Sequence, residues 1–445
     1  MKSKIFLYVI IITSFISCYD NNSENNRPNI IIIMADDLGY GDLSIYNNKN
    51  IQTPNIDILG KNGLLLTDFH SNGTVCSPTR AALLTGKYQH RVGVKGVITA
   101  KNHRHIGLPL EEKTFAETAK EVGYKTAIFG KWHLGYDPKF NPIEQGFDEY
   151  IGFVSGNVDY HSHVDQEGFE DWWSQGKLKK ESGYSTDLIN QHAINFIERN
   201  KNESFLLYIA HEAPHYPIQG RASPADREIG SKKFIAHGSE KNKPKIYKEM
   251  VEVMDDGIGK IINTISELNL DKKTIVFFFS DNGGTKLGNN GKLRAYKGSV
   301  YEGGHRVSAL VWSPELIEAG RISNETIMTM DIYPTVSDLI GAVPPEDIDG
   351  LSFKNHLLKG EKVRERSLFW EFNSNFAMRK NQWKMVIGRQ NKIPELYNLQ
   401  DDLGETSDMA EEKPELIKEM LKEMDSWKKH VDFNLLKEQE QSYSR

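Results

Sequence analysis

Several stretches of the chain share one pattern: a run of consecutive apolar residues, rich in β-branched and aromatic side chains, that stops abruptly at charged or amide groups. They are RPNIIIIMADD (27–37), KTAIFGKWH (125–133), SFLLYIAHEAPH (204–215) and KTIVFFFSDNGG (273–284). An uninterrupted apolar run of this length suits a strand covered on both faces, since a half-exposed strand would alternate. Between these runs the period changes to that of a helix. TFAETAKEVG (114–123) offers Thr114 and Glu117 as a capping box, apolar Phe115, Ala119 and Val122, and Gly123 as a stop. TDLINQHAINFIERN (186–200) precedes the third run. The segment 246–270 precedes the fourth, with Val251, Met254, Ile258, Ile261 and Ile265 at helical spacing. Helix followed by buried strand, repeated, predicts an α/β layer protein with a mainly parallel sheet. Ligand sites of such sheets lie beyond the carboxyl ends of the strands, where the polar clusters stand.

From about residue 355 the pattern shifts to short runs, SLFWEF, FAMRKNQWKMVIG and PELYNLQ, followed by the amphipathic EKPELIKEMLKEMDSWKKH. This predicts a small C-terminal α+β subdomain with an antiparallel sheet over 351–432, a main unit over 28–350 and a tail over 433–445. At the other end, MKSKIFLYVIIITSFISCYDNNSENN places Lys2 and Lys4 before an apolar stretch of signal-peptide length. Residues 1–17 are expected to be a signal segment and 18–27 a polar tether. The Ser17-Cys18 junction resembles a lipoprotein processing site, with Cys18 lipidated. Ordinary signal cleavage and an uncleaved anchor stand beside that reading. The expected location is therefore the periplasm or the outer-membrane surface of a Gram-negative bacterium.

The 445 residues carry 55 Lys+Arg against 61 Asp+Glu, a formal charge of -6, which gives no support for nucleic acid as a partner. Cysteine usage is more telling. The chain has 2 cysteines, and if Cys18 is acylated or removed, Cys76 has no intramolecular partner. In TVCSPTRAALLTG (74–86), Ser77 can cap a helix, Pro78 suits its first position and Gly86 can end it. Cys76 then lies at a helix N-terminus, which favours negative charge, with Arg80 one turn along. A small buried Cys beside a capped helix is the plainer alternative.

Asp36-Asp37 and Asp281-Asn282 close two of the apolar runs. Buried carboxylates are costly unless paired or bound to a cation. Together they make an all-oxygen set suited to Ca²⁺ or Mg²⁺ rather than Zn²⁺; unrelated loop carboxylates are the alternative. Lys131, His133, His211, His215 and Lys297 at the same edge would form a cationic cup for a tetrahedral oxyanion.

These residues carry a family resemblance. CSPTR followed by AALLTG is similar to the Cys-type signature of the formylglycine-dependent sulfatases, members of the alkaline-phosphatase-like superfamily. PNIIIIMADDLGYGDLS, GYKTAIFGKWHLG, HEAPHYP, FFFSDNGG, KGSVYEGG and ELYNLQDDLGE follow in the family's order. Thr79 and the LRAYKG segment depart from its commonest forms. The resemblance implies an α/β/α sandwich and oxidation of Cys76 to formylglycine (3-oxoalanine) by a maturation enzyme. Asp36, Asp37, Asp281, Asn282 and residue 76 would hold Ca²⁺, and the hydrated aldehyde would attack sulfur. Arg80 would stabilise the alkoxide, Lys131 and Lys297 would clamp sulfate, Ser155 would contact the site, His215 would protonate the leaving oxygen, and His133 would take the proton that frees the product.

Family habit points to a sulfated polysaccharide, with the algal polysaccharide ulvan first, other algal galactans, fucans and glycosaminoglycans behind it, and a Bacteroidetes-type source. Within 157–173, Asp159, His161, His163, Trp172 and Trp173 are sugar-contact candidates, joined by His211, Arg294 and Arg306. A phosphodiester or phosphonate hydrolase of the same superfamily and a non-catalytic glycan-binding lipoprotein are the competing readings.

Overall fold

The structure is a computed structural model that describes residues 27–231, 238–390 and 392–431. The expected signal segment, Cys18 and the tail from 433 lie outside the described residues. Strand Asn29–Ala35 shows how the fold is built. All its residues are buried, and the strand period of two sends Ile30, Ile32 and Met34 into one core and Ile31, Ile33 and Ala35 into another. Helices Cys76–Thr85, Phe115–Glu121 and Ile332–Ile340 cover the first face with Leu83, Phe115 and Tyr333. Helices Pro54–Lys61, Ser185–Arg199 and Lys243–Glu267 cover the second with Leu59, Phe196 and Met254. The result is a helix–sheet–helix sandwich.

The central strands run in the order Thr274–Ser280, Asn29–Ala35, Phe205–Ala210, Lys125–Lys131, Glu149–Phe153, and all these pairs are parallel. Their carboxyl ends therefore share one edge. Arg306–Trp312 joins antiparallel to Thr274–Ser280 and links it to Leu64–His70. The capping box forms as read: Glu117 N donates to Thr114 Oγ1 at 3.2 Å and Thr114 N to Glu117 Oε2 at 2.7 Å.

The helix that carries the cysteine differs in detail from expectation. It begins at Cys76 with Val75 as N-cap and no side-chain cap. Ser77 instead accepts from Ile98 N at 3.1 Å, so its hydroxyl anchors a neighbouring loop. Pro78 stands third in the helix, two positions further in than expected, at no hydrogen-bonding cost, because the first four N–H groups of a helix lack intrahelical partners. Gly86, at φ +67°, closes the helix as expected.

Strands Leu368–Phe372, Asn375–Lys380, Trp383–Ile387 and Pro394–Asn398 form a separate antiparallel sheet, and helix Pro414–His430 packs Met420, Met424 and Trp427 on it. Ala82, Val300 and Met330 of the main unit belong to the same apolar cluster. The small sheet is thus seated against the helix of Cys76 and the loop after Lys297. Among the described residues no helix is long and apolar enough to cross a membrane.

Candidate active site

Asp36 and Asp37 follow strand Asn29–Ala35, Asp281 and Asn282 follow Thr274–Ser280, and Lys131 ends its own strand with His133 just beyond. The parallel sheet brings all of them to one place. Ligand atoms of Asp36, Asp37, Cys76 and His215 lie within 4.8 Å of one another. Asp37 N donates to Asp281 Oδ1 at 3.2 Å and Asn282 Nδ2 to Asp37 Oδ1 at 2.8 Å. Cys76 Sγ donates to Asp36 Oδ1 at 3.4 Å and accepts from Lys297 Nζ at 3.3 Å.

Cations frame the carboxylates. Lys131 Nζ is paired with Asp36, both fully buried. Lys297 Nζ lies 2.6 Å from Asp37 Oδ1. Arg80 spans the floor, donating to Asp281 Oδ2 at 3.0 Å and to the Lys131 carbonyl at 3.1 Å. Burial alone would neutralise these groups, but the opposing charges outweigh it: Lys131, Lys297 and Arg80 are all held above their ordinary values. Burial likewise pushes Asp37 up, yet the Lys297 charge, with hydrogen bonds from Lys297 and Asn282, brings it down to about 2. Asp281, beside Asp36, is raised by burial to about 6.

The Cys76 thiol is pushed up by burial and by Asp281 and Asp36. A thiol in that state is no nucleophile at neutral pH, since only the thiolate attacks. The cysteine as translated does not suit displacement chemistry.

Asp37 Oδ2 and Asn282 Oδ1 are buried without any hydrogen-bond partner. Two orphaned oxygens among converging carboxylates fit a hard divalent cation, whose ligands are oxygens. Asp37 and His133 also stand at φ +63° and +58°, a region non-glycine residues enter rarely and mostly where surrounding structure enforces it.

His133 Nε2 meets the Ile98 carbonyl at 3.0 Å and His215 Nδ1 the Tyr216 carbonyl at 2.6 Å. A carbonyl only accepts, so those nitrogens carry the protons. His133 Nδ1, buried and unpartnered, and His215 Nε2, 3.6 Å from Asp37 Oδ2, are left with lone pairs. Burial, with Lys131 and Arg80 behind His133 and Lys297 behind His215, holds both imidazoles well below the ordinary value and therefore neutral.

A cavity of 590 Å³ opens onto Asp37, Cys76, His133, Ser155, His215 and Lys297. Its walls include residues 97–100, Tyr136, Lys243 and Lys286, which carry no sequence signal of their own, and Asn157 and Gln166 from the 157–173 segment. Tyr216 also lines it, next to His215 in the HEAPHYP motif.

Several sequence candidates stand elsewhere. Asp159 accepts from His161 N, Ser162 N, Asp226 N, Arg227 N and Gln219, so its carboxylate organises a loop. His161 and His163 bond the Gly220 and Gly183 carbonyls, and His163 stacks on Trp172 beside a different cavity. Trp173 donates to Asp171 at 2.7 Å. Arg294 donates to Tyr397 and to the Glu405 carbonyl, both at 2.8 Å, against the small sheet. Arg306 pairs with Asp68 and Glu302. His211 is fully buried with neither ring nitrogen bonded, and does not line the cavity.

Comparison with known proteins matches this arrangement. The sulfatase family model covers residues 28–342, and the model of the N-sulphoglucosamine sulphohydrolase C-terminal region covers 294–430. Human (Homo sapiens) N-acetylgalactosamine-6-sulfatase is 34% identical over 372 residues, 77% of this chain and 68% of that protein. The crystal structure of Ps i-CgsB superposes with a TM-score of 0.82 at 33% identity, covering 90% of this chain and 92% of that one. It has also been crystallised in complex with k-i-k-neocarrahexaose. The phosphonate monoester hydrolase of Agrobacterium radiobacter, at 20% identity and a TM-score of 0.66 over 91% of this chain and 96% of that one, shares the fold alone. With its signature, its fold and these relatives in agreement, the chain belongs to the sulfatase family and is a sulfuric ester hydrolase.

Proposed function

We propose that the protein removes sulfate from a carrageenan- or galactosamine-type saccharide, with residue 76 matured to formylglycine and Ca²⁺ held by Asp36, Asp37, Asp281 and Asn282. The observation that carries this reading is the meeting of Cys76, Lys297, Asp36 and His215 at the foot of one open cavity. When present, the cation and the hydrated aldehyde supply Lewis acidity and an oxygen nucleophile.

The chain's own residues do the rest. Lys131 and Lys297 stay charged and present ammonium groups to the sulfate oxygens. Arg80 fixes the Asp281 carboxylate and keeps a permanent positive charge beneath residue 76. An anion entering the cup raises the proton affinity of His215, whose free Nε2 then holds a proton for the departing sugar oxygen. His133, neutral and turned by Ile98, offers Nδ1 as a base.

Two features support a charged sugar. Lys243 and Lys286 line the outer cavity, which suits a polyanion, and Val97, Ile98, Tyr136 and Leu287 give apolar surface for ring faces. The galactosamine in the name of a 34% identical relative and the neocarrahexaose bound to a 33% identical neighbour favour those sugars over ulvan. Export and lipidation of Cys18 belong to the same proposal; loss of radiolabelled palmitate in Cys18→Ala tests them.

The test is sulfate release from matured enzyme offered carrageenan oligosaccharides, N-acetylgalactosamine 6-sulfate, ulvan and fucan oligosaccharides, and paired aryl sulfate and phosphate. Release from one of the first two is expected. Release from ulvan alone would return the assignment to ulvan, preference for the phosphate would favour the phosphohydrolase reading, and silence throughout would favour a binding protein.

A further inference from the structure

Lys384, on strand Trp383–Ile387 of the small sheet, is fully buried. Its Nζ lies 2.8 Å from Glu302 Oε1, 2.8 Å from Glu405 Oε1 and 3.0 Å from His305 Nε2. Glu302 and His305 bound one short helical turn of the main unit, and both are also fully buried. His305 stacks on Trp370 of the small sheet with ring centroids 4.0 Å apart, and its Nδ1 meets His70 Nδ1 at 3.0 Å. A buried ionic cluster is weak evidence for stability, because well-packed apolar residues of the same volume often serve as well. What the cluster does have is direction: it fixes where the turn sits.

That turn touches two segments of the active site through backbone, those of Asn282 and Cys76. Gly283, next to Asn282, donates to the Gly304 carbonyl at 3.0 Å, and a Cβ there would meet Gly303 O at 1.9 Å, so the contact has no slack. Ser71, on the segment leading to Cys76, donates to the His305 carbonyl at 2.7 Å. The Lys297 loop is tied in turn to both neighbours, Lys297 N to Gly284 O at 3.0 Å and Gly298 N to Thr74 O at 2.8 Å.

We propose that Lys384 is a positioning residue for this reaction: through the turn Glu302–His305 it sets the relative placement of Asn282, Lys297 and residue 76. The proposal rests on the sulfatase reading above. It also assigns the small sheet a role in turnover although none of its residues lines the cavity.

The experiment compares matured wild type with Lys384→Met, Lys384→Arg and Glu405→Gln, well below their melting temperatures. An aryl sulfate gives kcat and KM, and amide hydrogen exchange is followed in peptides over 71–76, 283–300 and, as a distant control, 149–153. Lys384→Met is expected to lower kcat by about tenfold or more with a smaller change in KM, and to speed exchange in the first two peptides but not in the control. Lys384→Arg, which keeps the charge, is expected to restore most of both. A kcat within about twofold of wild type together with unchanged exchange, whatever the melting temperature does, would overturn the proposal. Should Lys384→Met not fold, Glu405→Gln, which keeps an acceptor for Glu302 N, carries the same test with the same two outcomes. Wild type without activity on sulfate esters would count against the sulfatase reading, while the exchange data would still decide the positioning claim.

Discussion

Gly156 leaves room for the His133 imidazole, the base of the proposed reaction. A Cβ on it would stand 2.7 Å from His133 Nε2, and that nitrogen is bonded to Ile98, so the ring can yield only by giving up that bond and shifting into the cavity. Gly156→Ala is therefore expected to cut kcat on the order of 10²-fold through misplacement of the base, with melting temperature nearly unchanged. His211 makes the opposite case, a buried imidazole outside the cavity that burial holds at about 3 against an ordinary 6.5. The unfolded chain binds this proton below pH 6.5 and the folded one does not until about pH 3, so its share of stability is complete above 6.5 and is lost as pH falls through that window. Urea unfolding at pH 7 and pH 5 is expected to show wild type losing about 2 kcal/mol more than His211→Gln. Equal losses would mean that His211 finds a proton acceptor in solution.

Among the elements, the helix Lys243–Glu267 shows how much a periodic pattern conveys. Val251, Met254, Ile258, Ile261 and Ile265 are all buried against the sheet, as their spacing requires. Met254 is central in that stripe, and Met254→Ala is expected to cost about 2–5 kcal/mol of unfolding free energy with little effect on KM. The buried strands and the Thr114 capping box were legible for the same reason, since strand period and capping depend on neighbours in sequence. The start of the helix Cys76–Thr85 was not. The partner that takes Ser77 is Ile98 N, 21 residues away, and no local pattern announces such a contact. The cavity walls at 97–100, Lys243 and Lys286 were hidden likewise. Arg294, Arg306 and Asp159 misled because a charged residue near a motif reads the same whether it meets substrate or, as here, holds two segments together.

At the scale of the whole molecule, the parallel sheet collects Asp36, Asp37, Asp281 and Asn282 from strands far apart in sequence, so a cation bound there ties together two central strands. Such a cation would bind the folded chain only, and linkage would then make it a stabiliser. Chelation is expected to lower the melting temperature by several degrees, with recovery on adding Ca²⁺ and not Zn²⁺, as an oxygen-only ligand set requires. An unchanged melting curve would count against the metal assignment.

The central claim is that residue 76 works as an aldehyde and not as a thiol. Its most direct test is mass spectrometry of the peptide containing residue 76 across preparations made with graded amounts of a maturation enzyme, each assayed for sulfate release. The account expects a species about 18 Da below the thiol peptide, sulfur having been exchanged for oxygen with loss of two hydrogens, and specific activity proportional to its fraction. Full activity in a preparation that contains only the thiol would contradict it.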